Sequence, residues 1–214
     1  MRRKTLILGL ACLFLFSCEA FMSHRLNYGI VLSKVERPAE AKERYGEYEI
    51  LETEEQDFKY VFEDEMIKVF WLPTSSGISF RMTNKTDHSI RIIWDEAAYV
   101  DENGESHRVM HGGIKYTEKE APQPPSVVVR KGTLADVIFP TDYVSYSSGR
   151  YGGWSEKPLL PNEQTGGDPQ VLLSASKEFI GKTIQVLLPI QIEDVTNDYI
   201  FSFKIENAEL VTKK

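Results

Sequence analysis

The chain predicts an all-β domain, an antiparallel β-sandwich or barrel, on three observations. Short segments in which every second residue is apolar recur along it. Turn signals rich in Asn, Asp and Gly separate them. Few stretches show the 3.6-residue period of an amphipathic helix.

Arg2, Arg3 and Lys4 open the chain, an apolar run covers Thr5 to Phe16, and Cys18 follows Ser17. That run is shorter than the roughly 20 residues needed to cross a hydrocarbon core. It reads as an export signal rather than an anchor helix. Leu15 at −3, Ser17 at −1 and Cys18 at +1 resemble the lipobox of bacterial lipoproteins, with Phe16 standing where that family has a smaller residue. The resemblance covers residues 1–18. It implies removal of residues 1–17, lipid on the Cys18 sulfur and the new amine, and membrane attachment in the cell envelope. Several acyl chains at about 0.8 kcal/mol per methylene make a firm anchor. Glu19 at +2 is not the aspartate that keeps such proteins at the inner membrane, so the resemblance favours the outer membrane where a cell has one.

Residues 19–35 mix apolar and polar side chains without a clean period. Pro38 can start a short helix through Arg44, and Gly46 can stop it. From Glu36 to Glu65 there are 12 acids against 4 bases, the composition of a solvated linker or face. These features predict a lipidated acidic tether over 18–57, between a signal peptide over 1–17 and a β-sandwich over 58–214.

Alternation begins near residue 59. Ile67, Val69 and Trp71 share one face, as do Ile78, Phe80 and Met82, and then Ile90, Ile92 and Trp94. Segments 97–100 and 105–110 flank Asp101-Glu102-Asn103-Gly104, where Asn-Gly signals a hairpin. Segments 126–132 and 134–140 read as further short strands. Ile184, Val186, Leu188, Ile190 and Ile192 form one face, and Tyr199, Phe201, Phe203 and Ile205 another, with Val195–Asp198 as the turn between. Pro189 has no amide proton, which predicts an edge or a bulge for its strand. Asp168-Pro169 can cap a short helix running toward Phe179. The layout resembles the immunoglobulin-like domains of uncharacterised envelope lipoproteins; the resemblance is one of layout, and no Cys…Trp…Cys framework occurs here. The predicted class is thus an all-β, antiparallel immunoglobulin-like sandwich with a long Gly/Tyr-rich loop and one or two short helices.

Hydrophobic residues make up 42% of the 214, enough for a core. Cys12 and Cys18 are the two cysteines, so the domain predicted after them has neither a disulfide nor a thiolate metal site. Net charge is −7; without Arg2, Arg3 and Lys4 the balance is 22 basic against 32 acidic residues, or −10. Such a surface repels phosphate backbones, which argues against a nucleic-acid partner.

The segment 140–169 breaks the strand rhythm with five glycines, four prolines, three tyrosines and Trp154. Long loops in compact domains are commonly functional, and aromatic side chains give contact area at low entropy cost. Tyr146, Arg150, Tyr151 and Trp154 are the candidate binding residues. The alternative is that Trp154 and one tyrosine fold back to cap the sandwich. His107 and His111 are four apart, but four strand residues span roughly 13 Å, too far to share one ion unless the chain turns. A hairpin tip accounts for Asp101, Asn103 and Glu105. Asp95 and Glu96, read as adjacent strand residues, point to opposite faces. No nucleophile elbow, Walker loop or dinucleotide fingerprint occurs. The sequence therefore predicts no cofactor, no metal and no catalytic residue. The expected function is a non-catalytic binding or structural module, held to the membrane through lipid on Cys18, with an envelope protein as partner. The alternatives are a small-ligand carrier or sensor and, less favoured, a hydrolase built on His107 or His111.

Overall fold

Alternating side chains build two facing antiparallel layers here, joined at one corner. The computed structural model describes residues 23–38, 40–165 and 168–212. The expected signal segment 1–17 and Cys18 lie outside the described residues. The chain runs through β1 (Ser23–Glu36), α1 (Ala41–Tyr45), β2 (Glu49–Glu52), β3 (Tyr60–Glu63), β4 (Ile67–Pro73) and β5 (Ile78–Asn84). It continues through β6 (Ile90–Ile92), β7 (Ala98–Val100), β8 (Ser106–His111), β9 (Ser126–Val128) and β10 (Thr133–Pro140). The last part holds β11 (Val144–Ser147), β12 (Gly153–Glu156), β13 (Glu163–Thr165), α2 (Pro169–Ser176), β14 (Thr183–Ile192) and β15 (Val195–Thr212).

Strand order is β13-β1-β15-β14-β7-β8-β10-β5-β4-β3-β2, with β6 also beside β14 and β9 beside β6. The corner is β8. Its first half, Ser106–Arg108, pairs with β7, and its second half, Val109–His111, pairs with β10. A strand that changes layers in this way lets one continuous ladder fold over on itself. The fold is all-β and sandwich-like.

The inner faces meet through aromatic rings. Trp71 on β4 lies 4.6 Å from Phe201 and 5.3 Å from Phe203, centroid to centroid, both on β15. Phe62 meets Phe201 edge-on at 5.4 Å, and Phe80 lies 6.3 Å from Trp94. All these rings are buried, as are the alternating residues of β5, β6, β14 and β15 named above. Offset and edge-to-face ring pairs add about 0.5–1.5 kcal/mol each beyond the area they bury.

The expected tether is different in its described part. Residues 23–36 form a long strand against β15, and Leu26, Tyr28, Ile30, Leu32 and Val35 enter the core. Of two register shifts, the one at Gly29/Ile30 skips Glu206 on β15, and the one at Leu32/Lys34 interrupts the period of β1 itself. The second shift inserts Ser33, so Val35 rather than Lys34 turns inward. A bulge of this kind hides a strand from a period-2 search. At the first shift Gly29 N donates to Asn207 Oδ1 at 3.2 Å, and a Cβ on Gly29 would press on that side chain at 2.7 Å.

Beyond β1, buried polar bonds tie the acidic stretch down. Arg37 pairs with Asp64 at 3.0 Å, the two side chains being 7% and 0% exposed. Asp64 also accepts from the Tyr199 hydroxyl at 3.0 Å and from the amides of Met66 and Ile67. Tyr45, at the end of α1, donates to Asn197 at 2.9 Å. The sandwich therefore begins no later than residue 23. The acidic residues of β2 form a solvated face rather than a linker.

Two further expectations shift. The β14–β15 turn is the pair Glu193-Asp194, with Glu193 at φ +54°, and residues 195–198 already belong to β15. Pro189 sits on an interior strand, between β15 and the pair β6 and β7. Its carbonyl accepts from Ile93 N, so its ring nitrogen faces the gap where β7 pairing stops and β6 pairing begins. The missing donor falls where the ladder is already broken.

Candidate functional site

The segment 140–169 is more ordered than a loop. β11 and β12 form a separate two-stranded hairpin, with Tyr146 opposite Trp154. Gly152 makes its tip possible, since a Cβ there would lie 2.2 Å from the Ser147 carbonyl oxygen. After the hairpin, Leu159 and Leu160 enter the core and β13 joins the edge of β1. Asp168 caps α2 by accepting from Gln170 N at 2.8 Å.

Period 2 places Val144, Tyr146, Trp154 and Glu156 on one hairpin face and Ser145, Ser147 and Ser155 on the other. On the first face Trp154 stacks at a tilt against Tyr146 (5.3 Å) and against Tyr116 (5.6 Å). The Tyr116 hydroxyl donates to Glu156. Arg150 lies over the Tyr151 ring at 5.7 Å. Tyr146 is 63% exposed, Tyr151 92% and Trp154 41%. The structure thus brings together Tyr146 and Trp154, puts Arg150 and Tyr151 at the tip, and adds Tyr116. Tyr116 comes from a short 3-10 turn 38 residues earlier, and no local signal marks it.

A second constellation lies at the root of this hairpin. A cleft of about 480 Å³ is lined by Asp101, Glu102, Glu105, His107, Asp142, Tyr143 and Lys157, among others. His107 Nδ1 is 2.8 Å from Asp142 Oδ2, and its Nε2 is 3.7 Å from Asp101 Oδ2. Asp101 Oδ1 accepts from the amides of Asn103 and Glu105 at 2.9 and 2.8 Å. Burial pulls the Asp101 carboxyl upward, but these amide bonds outweigh it and hold the pKa below the usual carboxylate range. Tyr143 is pushed up to about 12, first by burial and then by the charges of Asp101, Glu102, Asp142 and Glu105. Four carboxylates against Lys157 give the cleft lining an excess of negative charge.

His107 and His111 do not converge. His111 Nδ1 bonds Asp136 at 2.9 Å, and its ring stacks on Trp94 at 4.3 Å. Asp95 and Glu96 lie in a 3-10 turn rather than a strand, and Asp95 pairs with Arg108 at 2.8 Å. The carboxylates around His107 come from a hairpin tip and from Asp142, 35 residues on. A search for histidine pairs cannot find that grouping.

No family model, no curated protein and no solved structure matches the chain.

Proposed function

We propose that this protein is a non-catalytic recognition module of the bacterial cell envelope. Lipid on Cys18 holds it at the membrane, and an envelope protein binds at the β11–β12 hairpin. One observation carries the reading: Tyr146, Tyr151 and Trp154 stand exposed on a hairpin outside the core cluster. Exposed aromatics on a short, pre-formed element are the composition of contact hot spots. The anchoring part rests on the lipobox resemblance at Leu15–Cys18. The described lining of the His107 cleft holds no Ser, Thr or Cys, so a hydroxyl or thiol nucleophile is not supported there. Four carboxylates in that lining suit a small apolar ligand poorly.

The test places a photo-crosslinking residue at Tyr151 in cells and identifies the product. The reading expects one envelope protein, lost when Tyr146 and Trp154 are both changed to Ala. Crosslinks unaffected by that double change would end it. Metabolic labelling with radioactive palmitate tests the anchor: wild-type protein takes up label and Cys18→Ala does not.

A further inference from the structure

We propose that Asp101, Glu105 and His107 bind one divalent transition-metal ion of the zinc type. The ligand atoms of the three residues lie within 4.8 Å of one another. The 3.7 Å from His107 Nε2 to Asp101 Oδ2 is near the ~3.3 Å edge of a tetrahedron with ~2.0 Å metal–ligand bonds. Glu105 is exposed, so its side chain can swing in to complete the set.

An independent observation points to a cation. His107 Nε2 is buried and has no hydrogen-bond partner. Its other nitrogen faces the Asp142 carboxylate at 2.8 Å, and an ionised carboxylate only accepts. Nδ1 therefore carries a proton. In the neutral ring Nε2 is then a bare lone pair, aimed at a second carboxylate. Asp101 Oδ1 is already used by two amides, while among the described residues Oδ2 takes only a long 3.5 Å contact from Asn103 Nδ2. Two acceptors facing each other in a half-closed cleft repel unless something positive lies between them. Asp142 meanwhile occupies the outer-shell position that orients metal-binding histidines and raises their basicity.

The donor set selects the ion. One imidazole with two carboxylates suits zinc-type ions, whereas calcium and magnesium prefer all-oxygen cages. Three protein ligands also leave a fourth position open toward the cleft. Glu102 and Asp142 add negative charge to that lining against Lys157. This inference does not depend on the recognition reading of the hairpin.

The experiment titrates Co²⁺ and Zn²⁺ into the full chain, demetallated and held in detergent. It reads Co²⁺ visible absorption and stoichiometry, with circular dichroism to check the fold. One ion per chain is expected. Glu105→Gln and His107→Gln each weaken binding about tenfold or more, and Asp142→Asn weakens it about 10–100-fold. His111→Gln leaves it unchanged. The cysteines are the same in every variant, so differences report the cleft. If His107→Gln misfolds, Glu105→Gln decides alone, since its side chain is exposed and the Asp101 turn uses only its backbone. Absence of one-to-one binding, or equal binding in wild type and Glu105→Gln, overturns the proposal.

Discussion

β1 and the β11–β12 hairpin are segments of similar length with opposite fates. β1 has mixed composition, no tryptophan and no clean period, yet it sends five side chains into the core. The hairpin carries Tyr146, Tyr151 and Trp154, yet none of them is in that cluster. Aromatic content therefore does not decide burial. What decides it is whether a long partner strand lies alongside: β1 runs beside β15 almost throughout, while β11 and β12 pair only with each other.

The largest expected effect tests this contrast directly. A chain begun at residue 37 lacks β1 and is expected not to fold. Five buried side chains at about 2–5 kcal/mol each come to about 10–25 kcal/mol, as much as or more than the 5–15 kcal/mol that a domain has in total. Exclusion chromatography and circular dichroism would show it; a folded, monomeric product would restore the tether reading. Single changes come next. Phe201→Ala should cost about 3–5 kcal/mol in chemical denaturation, because it removes the ring against which Trp71 and Phe62 pack.

Arg37→Ala should cost about 3–5 kcal/mol, since it leaves the Asp64 charge buried without its partner. A loss below about 1 kcal/mol would mean that residues 36–38 are attached loosely after all. Asp168→Ala removes the α2 cap and should cost about 1 kcal/mol.

Glu63 gives a smaller effect with a definite sign. The Lys85 hydrogen bond, working against burial and helped by Lys68, lowers its pKa from the ordinary 4.5. A lowered folded value means the stabilisation is complete above the unfolded pKa and is lost as pH falls through the folded one. Denaturation midpoints measured from about pH 6.5 down to about pH 2.5, roughly two units either side of the ordinary glutamate value, should fall less steeply in Glu63→Gln. Parallel curves would show that the two lysines contribute nothing there. The smallest effect belongs to the hairpin. Trp154→Ala and Tyr151→Ala should each change stability by about 0.5 kcal/mol or less. A large loss would make the hairpin a structural cap rather than a contact surface.

The sequence by itself determined the local features. Alternation located β4, β5, β6, β14 and β15 and assigned their inner faces. Asp101 to Gly104 marked a hairpin tip, and Asp168-Pro169 marked the start of α2. Acidic composition, and the lipobox-like start that underlies the proposed anchor, are also legible there. Periodicity and turn chemistry are properties of a few neighbouring residues, so one chain suffices to read them. Tertiary structure alone decided the rest. It showed that residues 23–36 complete the core despite two register shifts, and that Pro189 lies at a break inside the sheet. It brought Tyr116 to Trp154, and Asp101, Glu105 and Asp142 around His107. Those groupings depend on which strands lie side by side and where a ladder slips by one residue. Such long-range pairings are set by the packing of the whole domain, and the period of a single segment does not record them.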